Sequence, residues 1–126
     1  MVGHGTFEEL LARQPGLDAL LREFERTVAS GPLDARLLEL CRATVAKLLR
    51  DGTVTAAAPA APRDLDARER ACVTFTEMYV IDAHAVTDDM CADVRTHLGD
   101  AGATALTLAV ALFDATSRSR AALGVA

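Results

Sequence analysis

The chain contains 126 residues, which is the size of one domain, and 51% of them are hydrophobic. Asp and Glu number 18 against 13 Lys and Arg, so the net charge is −5. This acidic balance argues against a nucleic-acid-binding protein, because phosphate contacts need a basic patch. Lys47 is the only lysine, so the sequence also lacks the polybasic signal of a membrane-surface protein.

The N-terminal sequence MVGHGTFEELLARQ has no apolar stretch of signal-peptide length. The longest nearly apolar run, Ala101 to Ala115, contains glycine, threonine and aspartate and is too short to span a bilayer. We therefore expect a cytoplasmic protein that does not associate with membranes.

The three cysteines, Cys41, Cys72 and Cys91, form no CxxC pair. The spacing fits neither a redox motif nor a zinc site, and an odd count in a reducing compartment argues against a disulfide framework. We expect the three thiols to be buried small hydrophobic groups, and we expect no metal and no cofactor.

Abundant alanine and leucine, with 4% aromatic residues, predict an all-α chain. Thr6 and Glu9 have the spacing of a capping box at the start of a short helix, Phe7 to Arg13, which Pro15 and Gly16 are expected to end. A second helix is predicted over Leu17 to Ala29. Its apolar residues recur at helical spacing: Leu17, Leu20, Leu21, Phe24 and Val28.

Asp34 is a good N-cap for a third helix that runs to about Arg50. Residues 53–63, TVTAAAPAAPR, predict an extended linker within a single domain spanning 1–126, because two closely spaced prolines resist continuous helix. A fourth helix is expected from Asp64 or Asp66 to about Ile81, followed by a turn.

Thr87 is predicted to cap a fifth helix that Gly99 and Asp100 break. The last helix is predicted over Ala101 to Ala122. Its stretch Ala105 to Phe113 is apolar all round, which indicates burial on several sides, including at a subunit interface. The prediction is a bundle of five to six helices that forms an oligomer.

Three segments together resemble the AhpD-like and carboxymuconolactone decarboxylase-like family. LLELCRATVAKLLRD (Leu37 to Asp51) resembles the helix leading into the family's redox motif, and ARERACVTFTEMY (Ala67 to Tyr79) resembles the following helix. HAVTDDMCADVRTHLGD (His84 to Asp100), with the SRSRAALGV ending, resembles the C-terminal helix pair. The resemblance implies an AhpD-like helical bundle that assembles as a homotrimer or homohexamer.

The chain departs from the family pattern at the redox motif. Glu39 matches the family's glutamate, but Asp51 and Val54 stand where the two cysteines would be. Thr53 and Ala58 replace the two histidines. A thiol peroxidase needs an activated thiolate and a resolving cysteine, so we expect no peroxidase activity.

Two glutamates are candidates for acid–base catalysis. Glu39 has the family position but lies opposite the apolar face of its helix, so it is alternatively a solvated residue or the partner of Arg42. Glu77 lies on a helix with little polar surface, where burial would raise the pKa of its carboxyl. It is alternatively a structural partner of an arginine.

The remaining candidates lie in the C-terminal half. Asp114 and Arg118 have the spacing of a helical ion pair, which either binds a substrate anion or bridges helices or subunits. His84, in a turn beside Asp82, is a candidate general base or a surface residue. Tyr79 is a candidate substrate hydrogen-bond donor or a residue at the edge of the core.

Two functions follow from these residues. The first is a cofactor-free enzyme that decarboxylates, isomerises or cyclises a small organic acid or lactone-like metabolite, with Glu77, His84 and Glu39 in catalysis and Arg118, Asp114 and Tyr79 in substrate binding. The second is a non-catalytic small-molecule-binding or scaffold protein. The enzyme requires Glu77, His84 and Arg118 to converge on one apolar cavity.

Overall fold

A computed structural model of the protein describes residues 5–49 and 64–125. All regular elements in these two ranges are helical, which confirms the all-α prediction. The helices follow in the order α1 (Phe7–Ala12), α2 (Pro15–Ala29), α3 (Ala35–Leu48), α4 (Ala67–Asp82) and α5 (Asp88–Leu123), with a 3₁₀ turn (Ala83–Ala85) before α5.

Side-chain caps fix the start of four helices. Thr6, Asp34 and Thr87 each accept a hydrogen bond from a backbone N–H three residues on, at 3.1, 3.3 and 3.2 Å respectively. Asp66 and Glu69 form a reciprocal capping box at the start of α4. The sequence predicted the first three caps, and it gave Asp66 as one of two choices for the fourth.

Helix ends lie within two residues of the prediction, and one helix start differs for a clear reason. α2 begins at Pro15 rather than Leu17, because proline at the first helical position is preorganised for a helix and has no N–H to leave unpaired. α5 runs from Asp88 to Leu123 with non-helical backbone at Gly99, which confirms the predicted break between two helices. The predicted linker at 53–63 lies outside the described residues.

α3, α4 and α5 pack against one another and form the core. The helix α4 is buried on most of its circumference, since Cys72, Phe75 and Val80 lie in one core cluster with residues of α3 and α5. Leu37, Val45 and Leu106 are fully buried in the same cluster. Cys41 and Cys72 are buried, as predicted, while Cys91 is half-buried.

The N-terminal pair, α1 and α2, lies outside this core. Neither helix contains a buried residue, although α2 is strongly amphipathic. Leu20 at 70% and Leu17 at 59% are the most exposed of its large apolar side chains. The protein is therefore a three-helix core that carries a loosely packed helical pair.

The predicted burial of α5 on several sides holds for part of its circumference. Leu106, Ala109 and Val110 are buried, whereas Leu108 is 51% exposed. By length and composition alone α5 is a candidate membrane span, with a window of mean hydropathy 1.3 of which 22% is buried. This is a weak indication, because core helices of soluble proteins pass the same test. The cytoplasmic location stays a prediction.

Candidate functional site

A cleft of about 400 Å³ lies between the N-terminal pair, α3 and the C-terminal part of α5. Its volume falls within the range of small-molecule sites, roughly 300–1,000 Å³. Six large apolar side chains line it: Leu11, Leu21, Val28, Leu38, Leu112 and Phe113. We call it the arginine cleft, after the three arginines at its edge.

Each of these arginines is paired with a glutamate that also lines the cleft. The Arg22 guanidinium donates to Glu25 at 3.2 Å, and Arg42 Nε donates to Glu39 at 2.8 Å. The third pair joins Arg120 to Glu8 at 2.6 Å, across 112 residues of sequence. The cleft is therefore lined by three separate Arg–Glu pairs, in each of which the two charges are opposite.

These pairs set the ionisation of two of the glutamates. The hydrogen bond from Arg120 lowers the pKa of Glu8, and the hydrogen bond from Arg42 lowers the pKa of Glu39. Both carboxyls are therefore ionised at neutral pH. Glu39 is paired with Arg42, as the structural interpretation of its spacing predicted. Its lowered pKa does not suit a general acid.

Arg120, which lines the cleft, joins α1 to the C-terminal part of α5. Its guanidinium carbon lies 5.0 Å from the centre of the Phe7 ring, a cation–π contact, while the same group binds Glu8. α1 is thereby attached to the last turns of α5. Neither Arg120 nor Glu8 was a sequence-predicted site residue.

Glu77 lies on α4 and is half-buried, away from the arginine cleft. It has no hydrogen bond or ion pair within the part of the chain that the structure describes. Burial raises the pKa of its carboxyl, as the sequence analysis expected of a carboxylate at this position. It lines none of the clefts described here.

Arg118 links α5 to α4 and is also paired with Asp114 on its own helix. Arg118 Nε donates to Asp114 at 2.9 Å, and its Nη2 donates to the Val80 carbonyl oxygen at 3.1 Å. The Val80 carbonyl lies in the last turn of α4, where helix carbonyls lack intrahelical partners. This geometry fits the structural alternative given for the pair, a bridge between helices.

The last two candidates lie apart from these. His84 is exposed on the 3₁₀ turn, and its backbone N–H donates to Asp82 Oδ1 at 3.0 Å. The half-buried Tyr79 ring stacks on Phe75 with 6.2 Å between ring centres, at the edge of the core. None of Glu77, His84 and Arg118 lines the arginine cleft. Of the six candidates, Glu39 alone lines the arginine cleft.

Comparison with known proteins finds no match to this chain among family models, curated proteins or solved structures. The resemblance to the AhpD-like family therefore stays a prediction. Within residues 5–49 and 64–125, no group of three or more His, Cys, Asp or Glu side chains is arranged to hold a metal ion.

Proposed function

We propose that this protein binds a small organic molecule in the arginine cleft, without catalysing its conversion. The observation that carries the proposal is a ligand-sized cleft with an apolar lining and a charged edge, from which the unpaired carboxyl of Glu77 is absent. Apolar lining provides affinity, and the few charged groups at the edge orient the ligand.

The ligand that fits this lining has an apolar body and one carboxylate. Arg42 and Arg120 are each engaged by a single exposed glutamate, and such exposed pairs contribute little free energy, ~0–1 kcal/mol. A ligand carboxylate can therefore replace Glu39 or Glu8 at modest cost. Bidentate binding of carboxylates is typical of arginine.

Native mass spectrometry of freshly purified protein is the first experiment. We expect a co-purified organic mass that is released on denaturation. If the natural ligand is lost during purification, 8-anilinonaphthalene-1-sulfonate, an aromatic anion, serves as a fluorescent probe, and small carboxylic acids are tested for displacing it.

The chain offers a matched pair of variants for this test. Arg42 and Arg26 each bind the glutamate three residues before them, but only Arg42 lines the cleft. We expect Arg42→Gln to weaken probe binding about tenfold, the equivalent of one charge-assisted hydrogen bond. Arg26→Gln should leave probe binding unchanged. Equal effects of the two substitutions would place the probe outside the cleft.

A cofactor-free enzyme for a small organic acid or lactone is the second candidate. The half-buried Glu77 favours it, because an unpaired carboxyl with a raised pKa suits a general acid or base. The test is incubation of the co-purified ligand with the protein, followed by mass spectrometry. Conversion that is lost in Glu77→Gln would establish the enzyme and overturn the non-catalytic proposal.

The AhpD-like relation and the homotrimer or homohexamer belong to the proposal as well. The helix order and the break at Gly99 agree with the expected arrangement of the C-terminal helix pair. Native mass spectrometry reads the subunit number in the same experiment, and a strictly monomeric protein would contradict the family-like assembly.

A further inference from the structure

α2 exposes a continuous apolar stripe beside the arginine cleft, and Val28 lines both the cleft and the groove at the stripe. Leu17, Leu20 and Phe24 are 59%, 70% and 40% exposed, and Thr27 continues the stripe. The successive spacings along it are three, four and three residues, the pattern of a helix–helix seam.

The stripe borders an apolar groove between α2 and α5. Leu20 and Phe24 form one wall, Ala105 and Leu108 of α5 form the other, and the groove holds about 460 Å³. We call this surface the α2 face. Leu108 is 51% exposed, so both walls present apolar side chains to water.

We infer that a second copy of this chain docks on the α2 face, with the two α2 helices antiparallel about a two-fold axis. The three-four-three spacing reads the same in both directions, so an antiparallel copy meets the stripe in register. Leu20 of one copy then lies against Phe24 of the other on both sides of the axis. This interface does not depend on the ligand proposed for the arginine cleft.

The charge of the α2 face is compatible with a second copy. The whole chain has a net charge of −5, but Glu23 is the one charged side chain among the residues that line the groove. Arg26 pairs with Glu23 at 2.6 Å. Two identical faces therefore meet without like-charge repulsion and without burying an unpaired charge.

α2 is also poorly buried within a single chain, so an additional packing partner would stabilise it. A helix of 15 residues is marginal alone in water, and α2 has no buried residue within a single chain. Its inner apolar side chains, Leu21 and Val28, face the arginine cleft and are half-buried. A second copy buries the outer stripe and so stabilises the helix.

Sedimentation velocity over a wide concentration range tests this inference on the full chain. We expect the wild type to associate reversibly through this two-fold contact, which a homohexamer with two-fold axes can contain and a homotrimer cannot. Leu108→Glu and Leu20→Glu should each raise the dimer dissociation constant about a hundredfold, because each dimer would bury two unpaired carboxylates. Both side chains are exposed, so the monomer should keep its helical circular dichroism spectrum.

Leu123→Glu is the matched control. Leu123 lies on the same helix as Leu108 and is 52% exposed, but it does not line the α2 face. It should leave the dissociation constant unchanged. A wild type that stays monomeric would overturn the inference, as would loss of the dimer in Leu123→Glu alone. Flotation with phosphatidylcholine vesicles that Leu20→Glu abolishes would overturn it in favour of a membrane.

Discussion

Two glutamates on α4 have opposite surroundings. Glu69 is 5% exposed, accepts a hydrogen bond from Arg36 at 2.5 Å, and caps the helix through the Asp66 N–H. These two hydrogen bonds offset the cost of burying the Glu69 carboxylate. Glu77, two turns further along, is half-buried with no such partner among the described residues, and burial raises the pKa of its carboxyl. Ionisation of Glu77 therefore costs more free energy in the folded protein than in the unfolded chain.

Replacing Glu77 by glutamine should stabilise the protein at neutral pH. The folded-state pKa of Glu77 lies above its ordinary value of 4.5, so the folded protein holds this proton more tightly than the unfolded chain does. Its favourable contribution is complete below pH 4.5 and is lost as the pH rises through the raised value. Thermal unfolding should therefore show a gain for Glu77→Gln at neutral pH that shrinks in acid.

Glu69→Gln is the control for this substitution. It removes the buried carboxylate that pairs with Arg36, so the variant should lose stability at neutral pH. A Glu77→Gln protein that is less stable than the wild type at neutral pH would show that Glu77 has a partner beyond those described.

The thiols should differ in reactivity with 5,5′-dithiobis(2-nitrobenzoate). Burial, together with the nearby Cys41, raises the pKa of Cys72 to about 12, and burial raises that of Cys41. The thiolate is the reactive form, so neither should react in the native protein. We expect Cys91, which is half-buried, to react first and all three to react in denaturant. Rapid native reaction of two or more thiols would contradict this packing.

At the scale of elements, the backbone of Gly99 decides how α5 is built. Its φ of 73° and ψ of 174° lie in a region that is essentially restricted to glycine. The break lets the chain turn, so that Gly102 approaches Leu98 closely enough for an added Cβ to lie 2.7 Å from the Leu98 Cβ. The two parts of α5 therefore follow different directions.

Gly99→Ala should lower the free energy of unfolding by about 1–3 kcal/mol through backbone strain alone. No atom lies within 4 Å of a Cβ built at Gly99, so steric overlap makes no contribution. Gly16 provides the matched control, because it has equal free space but lies in the first turn of α2. Gly16→Ala should be neutral or stabilising by up to about 1 kcal/mol. Urea unfolding measures both, and equal effects would contradict a strained Gly99.

The elements could be predicted from the sequence where their signals are local. Thr6, Asp34 and Thr87 cap within three residues of themselves, and Gly99 breaks a helix by its own backbone. The start of α2 was misplaced because Pro15 serves equally as a stop and as a first helical residue.

The candidate site was less predictable, because long-range contacts build it. The Arg120–Glu8 pair joins residues 112 positions apart, and no spacing rule reaches that far. Arg118 was recognised as one half of a helical pair with Asp114, but its bond to the Val80 carbonyl depends on how α4 and α5 cross. Glu39 was singled out by resemblance and Arg42 as its partner by spacing, but neither signal indicated that the two residues line a cleft.

At the scale of the whole molecule, stability is unevenly distributed. α3, α4 and α5 share one buried cluster, whereas α1 and α2 contain no buried residue. Regions with few buried apolar contacts open at lower free energy than the core. Because α2 also lines the arginine cleft, the least stable part of the described chain forms one wall of the proposed binding site.

Hydrogen exchange followed by mass spectrometry should therefore divide the described chain into two parts. Amides of α3 between Leu37 and Val45 should exchange slowly, at rates set by global unfolding, and those of α2 should exchange much faster. Dimerisation through the α2 face adds a concentration dependence, since mass action favours the form in which α2 is covered. In the wild type, α2 exchange should slow as protein concentration rises, and α3 exchange should slow as well, because the dimer also opposes global unfolding. In Leu108→Glu the α2 rate should be independent of concentration and equal to that of dilute wild type. Concentration-dependent protection that appears in α4 instead would place the interface on another face.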